Sequence, residues 1–314
     1  MSHAAAAPRK LDPAKFLDPE RTAKGEARAQ VALGRIATLW FNTGTLCNLT
    51  CPHCYIESSP ANDRLVYLSA AEVAGFLDQL PPEPIEIGFT GGEPFMNPDL
   101  PAMLTDALGR GHRGLVLTNA MKPMTKRARE LDGLIARFGR KLAVRVSLDH
   151  YGPALHDLER GARGFAKSLA GLEWLAARGC TIAVAGRRLW GESEPQLRAG
   201  YARLFAERGL AIDAADPAQL VLFPEMDAGL DVPEITTACW GILGKRPEAM
   251  MCASSRMVVR HKGDARPTVM PCTLLPYDRR FALGATLAEA SGDVALNHPH
   301  CARFCVLGGG SCGG

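Results

Sequence analysis

Cys47-Asn-Leu-Thr-Cys51-Pro-His-Cys54 places three thiols at C-x3-C-x2-C spacing, soon after the apolar run 36–41. Three thiolates can hold three irons of a cubane iron–sulfur cluster, which ordinarily takes four Cys. The fourth iron then stays open, and an open metal position is where a ligand binds and chemistry starts. Structural zinc is the main rival. Zinc wants four tetrahedral ligands, commonly from two C-x2-C knuckles, and no second knuckle lies near this one. His53 is available as a fourth ligand but is squeezed between two thiols.

The elements that must position these thiols alternate. Candidate strands occupy 36–42, 84–89, 114–119, 142–148, 181–185 and 219–223, and candidate helices 70–80, 100–110, 126–138, 164–178 and 194–208. Ser69 and Glu72 form a capping-box pattern at the start of the first helix. Strands alternating with helices argue for a parallel sheet with right-handed crossovers. Periodicity alone leaves a doubly wound sheet and a partial barrel both open. Either architecture puts function at the carboxyl edge. There the chain carries Cys47–Cys54 after the first strand, Gly91-Gly92-Glu93-Pro94 after the second, Asn119 at the end of the third and Asp149 after the fourth. Two glycines let a backbone approach a ligand closely and expose N–H groups.

The bulk numbers are those of an ordinary globular protein. Of 314 residues 47% are hydrophobic and 22% charged, with a formal net charge of +3. That near-neutral balance gives no field for nucleic acid. No run of 18 apolar residues exists, so no membrane span is expected. The start lacks the apolar core of a secretory signal and reads as a mobile arm, 1–34, leading into a helix near 24–33. A cytoplasmic location follows, in which the ten Cys are metal ligands or core residues rather than disulfides. Cys180, alone at the start of an apolar run, reads as a small core residue.

Taken together, Cys47, Cys51, Cys54 and the Gly91–Pro94 stretch resemble the radical S-adenosylmethionine (SAM) superfamily, over roughly 36–224. The resemblance implies an α/β fold, a partial (β/α)6 TIM-like barrel over 35–230 with a small Cys-rich, β-containing extension over 231–314. It implies that Cys47, Cys51 and Cys54 hold a [4Fe–4S] cluster whose open iron is chelated by the methionine amino and carboxylate groups of SAM. His53 stands where the family usually has an aromatic residue beside the adenine, with Tyr55 just past the Cys. Gly91, Gly92, Glu93 and Pro94 match the stretch that meets the methionine amino group. Ser147 and Asp149, sharing one face of a strand, match positions near the SAM ribose, and Asn119 is a further candidate cofactor contact. Arg187, with Arg188 as rival, matches the basic residue that meets the carboxylate. His156-Asp157-Leu-Glu-Arg160-Gly161 resembles a segment of peptide-modifying members, or serves only to order the fourth loop.

The C-terminal thiols resemble SPASM or twitch extensions, which carry auxiliary iron–sulfur clusters. The pattern is short of a full SPASM set, so one four-Cys cluster is expected. Cys252 and Cys272 are ligands, with two from Cys301, Cys305 and Cys312; Cys239 is a further candidate. A zinc ribbon is the competing reading. A segment so short and rich in turns needs such a staple. The resemblance further implies reductive cleavage of SAM to a 5′-deoxyadenosyl radical, hydrogen abstraction from a peptide or a small molecule, and a reducing partner such as flavodoxin or ferredoxin. No catalytic residue beyond the cluster is assigned, although Glu225, Asp227, Tyr277 and Asp278 lie near the expected mouth. A zinc-stabilised binding protein and a ferredoxin-like carrier are the non-enzyme alternatives; near-neutral charge opposes a nucleic-acid binder, and the βα alternation opposes a ferredoxin-like carrier.

Overall fold

The structure, a computed structural model, describes residues 9–310. Cys312 and the first eight residues of the expected arm therefore lie outside the described residues. The main sheet has eight strands in the order β7-β6-β5-β4-β3-β2-β8-β9. Six of them, β2 (Thr38–Asn42), β3 (Glu86–Thr90), β4 (Arg113–Thr118), β5 (Leu142–Ser147), β6 (Thr181–Arg188) and β7 (Leu220–Pro224), run parallel and succeed one another in chain order. A doubly wound sheet reverses strand order at its switch point; this one does not, as in a barrel that stays open.

Helices connect the parallel strands: α1 (Ala70–Leu77), α2 (Leu100–Gly109), α3 (Lys122–Thr125), α4 (Ala128–Phe138), α5 (Pro153–Arg160), α6 (Gly164–Ala176) and α7 (Glu194–Glu207). The expected capping box is present, with Ser69 Oγ accepting from Glu72 N–H and Glu72 accepting from Ser69 N–H. Ser193 and Gln196 repeat it at α7.

The strands are apolar on both faces because both are covered. Leu39, Phe41, Ile87, Phe89, Val116, Val144 and Val146 pack with the helices in one core. The alternate residues Trp40, Leu115 and Leu117 belong to a second core, built with the C-terminal third. That third contributes α8 (Cys239–Leu243), β8 (Ser255–Val259), β9 (Thr268–Met270) and β10 (Val294–Ala295). Strand β8 pairs parallel with β2, and β9 antiparallel with β8, so the sheet runs on into the Cys-rich segment. No helix of the described residues is long and apolar enough to cross a membrane.

The segment preceding the barrel departs from expectation. No helix forms at 24–33; β1 (Gln30–Val31) pairs antiparallel with β10 instead. Arg28 is the reason. It is buried, bonds Glu234 at 2.6 Å, and donates to the carbonyls of Asp18, Arg21 and Leu296. A buried ion pair with partners so distant outweighs local helix propensity. From residue 9 onward the expected mobile arm is thus strapped onto the C-terminal third.

Candidate active site

The carboxyl ends of β3 to β7 and the loop after β2 surround a cavity of about 970 Å³, part of it open to solvent. Cys47, Cys51 and Cys54 line one wall. Backbone bonds fix their loop: Cys47 N–H donates to Ser59, and Cys54 N–H to Cys51. Ser58 N–H points at Cys54 Sγ, 3.4 Å away. Burial pushes the Cys47 thiol up to about 12 and raises Cys51 as well. Bare thiols in that setting stay protonated and inert; coordination to a metal removes the proton.

Gly91 and Gly92 line the cavity, but their reason for being glycine differs from expectation. Gly91 has φ +139°, and a Cβ there would stand 2.4 Å from the Gly44 carbonyl oxygen; a Cβ on Gly92 would stand 2.2 Å from that of Leu46. The N–H of Gly92 is spent on Gly44, and that of Glu93 on Leu46. The pair therefore lets the second loop lie against the strand-like lead into Cys47. Its first effect is to set the thiol loop.

Glu93 and Pro94 sit beneath this wall rather than in it. Glu93 is 2% exposed. Its carboxylate accepts from Thr118 Oγ1 (2.8 Å), Asn119 N–H (2.9 Å) and Phe95 N–H (3.2 Å). Burial outweighs these donors and raises its carboxyl to about 6. Asn119 does line the cavity, and its amide donates to Asn48 Oδ1 at 2.9 Å. Glu93 and Asn119 thus tie the ends of β3 and β4 to the thiol loop.

Ser147 and Asp149 both face the cavity, as their period-two spacing requires. Asp149 is clamped by two arginines. Arg160 donates from Nε (2.5 Å) and Nη2 (3.1 Å), and Arg187 from Nε (3.1 Å). Burial alone would raise the Asp149 carboxyl, but the two guanidinium charges prevail and hold it at about 2. Arg187 also donates to the His53 carbonyl at 2.7 Å, joining β6 to the thiol loop. Arg188 turns away to Glu194 and Gly308.

Helix α5 explains the His156–Gly161 segment. His156 Nδ1 accepts the Asp149 N–H, Arg160 clamps the Asp149 carboxylate, and Asp157 accepts from Arg163 and Phe165 N–H. The segment orders the fourth loop, and through Arg160 it also reaches the cavity, a contact not foreseen. The His53 ring does not line the cavity; it is half exposed and bonds Glu159 at 2.6 Å. Leu117, Phe223, Met226, Leu274 and Phe304 complete an apolar rim. Of the residues expected at the mouth, Tyr277 donates to the Ile56 carbonyl and Asp278 pairs with Arg280. Glu225 is exposed, and Asp227 accepts from Gly229 N–H.

These residues fit the implied cofactors. Three soft donors share one wall, and Ser58 Oγ, buried in the same lining, has no partner in the protein. Among the described residues no group of three His, Cys, Asp or Glu converges to hold a single metal ion. A cubane spreads its thiolates over separate irons, so that finding bears on mononuclear ions.

A second cavity of about 350 Å³ lies behind Leu274, which lines both. Four cysteines line it: Cys252, Cys272, Cys301 and Cys305, among apolar side chains. Cys301 and Cys305 stand on a π-helical turn, Cys301–Leu307, a form rare enough to mark functional sites. Cys239 lies apart, its sulfur against Thr236. Cys180 is buried in the helix-side core, as expected.

Residues 41–187 match the radical SAM superfamily. The subtilosin biosynthesis protein AlbA of Bacillus subtilis is 32% identical over 141 residues, 44% of this chain and 30% of AlbA. The AdoMet-dependent heme synthase of Oleidesulfovibrio alaskensis is 32% identical over 139 residues, 42% of this chain and 33% of the synthase. The chain thus spans about a third of the length of these curated relatives. Among solved structures, SAM-bound SuiB of Streptococcus suis superposes with TM-score 0.59 at 12% identity, over 80% of this chain and 63% of SuiB. AdoMet-bound anSMEcpe gives 0.57 at 15%, over 81% and 79%. At such identities the likeness is one of fold. With the three-thiol loop at the mouth of an open parallel barrel, residues 41–187 are the part of this chain that matches the radical SAM superfamily.

Proposed function

We propose that this chain is a radical SAM enzyme that modifies a peptide, oxidising or crosslinking it, with a second iron–sulfur cluster in its C-terminal third. The reading rests chiefly on one observation: Cys47, Cys51 and Cys54 share a single cavity with Gly91, Gly92, Asn119, Ser147, Asp149 and Arg187. With its cluster and SAM bound, such a site supplies reductive cleavage of SAM and hydrogen-atom abstraction from a substrate.

The protein's own residues bind and orient. Cys47, Cys51 and Cys54 would hold the cluster. Asp149 is fixed by Arg160 and Arg187 before any ligand arrives, so no reorganisation is needed at binding. The Glu93 and Asn119 network keeps the thiol loop in register with the sheet. The rim of Leu117, Phe223, Met226, Leu274 and Phe304 gives the reacting groups an apolar wall. Cys252, Cys272, Cys301 and Cys305 would hold the second cluster, with Leu274 between it and the first cavity.

A peptide substrate is favoured because two fold neighbours carry peptides in their structures, SuiB its precursor peptide SuiA and anSMEcpe the Cp18Cys peptide. A tetrapyrrole is the second reading, from relatives named heme synthase and Fe-coproporphyrin III synthase. The test is anaerobic reconstitution with iron and sulfide, then addition of reductant and SAM. 5′-Deoxyadenosine is expected. Its absence, with zinc bound in place of iron, would sink the enzyme reading. Deuterium transfer into 5′-deoxyadenosine from a labelled peptide, but not from a labelled porphyrin, separates the two substrate classes.

A further inference from the structure

Arg256 is a buried cation without a carboxylate. It lies in β8 at 0% exposure. Every hydrogen bond it makes goes to a main-chain carbonyl: Nε to Ala290, Nη1 to Cys252 and Ser255, and Nη2 to Gly292, at 2.6 to 3.1 Å. Among the described residues no carboxylate pairs with it. The acidic groups that act on it are the thiols of Cys252 and Cys272, followed by the exposed Asp293. A guanidinium taken out of water needs a compensating anion. Protonated thiols supply none; four thiolates around an iron–sulfur core supply a net negative charge.

His300 presents the matching feature for hydrogen bonding. It is 6% exposed, lines the four-cysteine cavity beside Cys301, and its buried Nδ1 has no partner in the protein. The His298 ring lies against it, with centroids 4.7 Å apart. A buried ring nitrogen left unbonded carries a desolvation cost. A sulfur of a bound cluster would accept from it. The donor lines the cavity and the cation stands behind its wall, bonded to the Cys252 carbonyl, so one occupant satisfies both.

Resting on the reading of Cys252, Cys272, Cys301 and Cys305 as a cluster site, we propose that Arg256 and His300 are its built-in counter-charge and sulfur hydrogen-bond donor, and that together they raise its reduction potential. Net charge and hydrogen bonds to sulfur are the levers by which a protein sets such potentials. Both act as positioning and tuning residues; neither touches substrate.

The test is a potentiometric titration of the anaerobically reconstituted full chain, followed by electron paramagnetic resonance (EPR). In His300→Leu the reduced fraction of the second cluster at fixed potential should fall roughly tenfold, equivalent to about 59 mV for a one-electron couple. His300→Asn, which keeps a donor near the Nδ1 position, should stay close to the parent. Arg256→Met should lower the potential further; should that variant not fold, the His300 pair still decides. The cluster at Cys47, Cys51 and Cys54 should keep its potential throughout. Equal second-cluster potentials in the parent and His300→Leu, both carrying two clusters, would overturn the inference. A parent chain that takes up a single cluster would instead overturn the reading beneath it, and iron content tells the two failures apart.

Discussion

The two thiol sites are built in opposite ways. Cys47, Cys51 and Cys54 come from one loop, and their cavity mixes sulfur with charged and polar groups: Asp149, Arg160, Arg187, Asn119 and Ser147. Cys252, Cys272 and the Cys301/Cys305 pair come from three separate segments and face a lining otherwise almost wholly apolar. An open site needs groups to seize a second ligand. A closed site needs ligands to complete the metal and a dry wall around it. The comparison teaches that the first site is organised to bind and the second to hold. They share Leu274, and Phe304 of the π-helical turn lines the first cavity while its neighbours Cys301 and Cys305 line the second.

Removing the thiols of one site should leave the other intact. Changing Cys47, Cys51 and Cys54 together to Ala should abolish 5′-deoxyadenosine formation; cleavage surviving at more than a trace would remove those residues from the chemistry. Cys272→Ala should act on stability instead. The loaded parent should resist thermal unfolding more than the variant, because metal binding free energy is folding free energy. Calorimetry that finds the two alike would make the second cavity an ordinary core.

Smaller effects sharpen the contrast within the first site. Asp149→Asn takes the anion, itself buried, from two partly buried guanidinium groups and should cost roughly 3–5 kcal/mol in equilibrium unfolding. The same pairing has a pH signature. The folded carboxyl lies below its unfolded value, so the pair stabilises above about pH 4 and that contribution is lost as pH falls toward about 2. A variant whose acid unfolding matches the parent's would contradict it. Arg187→Ala should weaken SAM binding, measured by calorimetric titration, whereas Arg188→Ala should change it little, since that side chain faces Glu194 and Gly308. Equal losses would mean that the cavity has been assigned to the wrong arginine.

The first site was legible because its signal is local. Three thiols in one loop, a glycine pair after the next strand and an alternating Ser147/Asp149 need only the βα order to meet. The strands and most helices were legible for the same reason, since periodicity is set by near neighbours. What escaped depended on distant partners. The strap at 9–34 owes its course to Glu234 and β10, more than 200 residues on. Arg160 reaches Asp149 only once α5 has formed, and nothing in the spacing marked Arg160 and Arg187, and not Arg188, as its partners. Glu93 was legible as a site residue but not as a buried brace for the thiol loop. For the second site, sequence supplied the pool of cysteines; folding brought Cys305 to the cavity and left Cys239 aside.

The most direct test of two separate clusters is an iron and sulfide count with EPR, on the reconstituted parent and the triple Cys47, Cys51, Cys54 variant. At four irons per cluster, the parent should hold about eight and the variant about four, with SAM altering only the signal that the variant lacks. About four irons in the parent, or loss of both signals in the variant, would contradict the account.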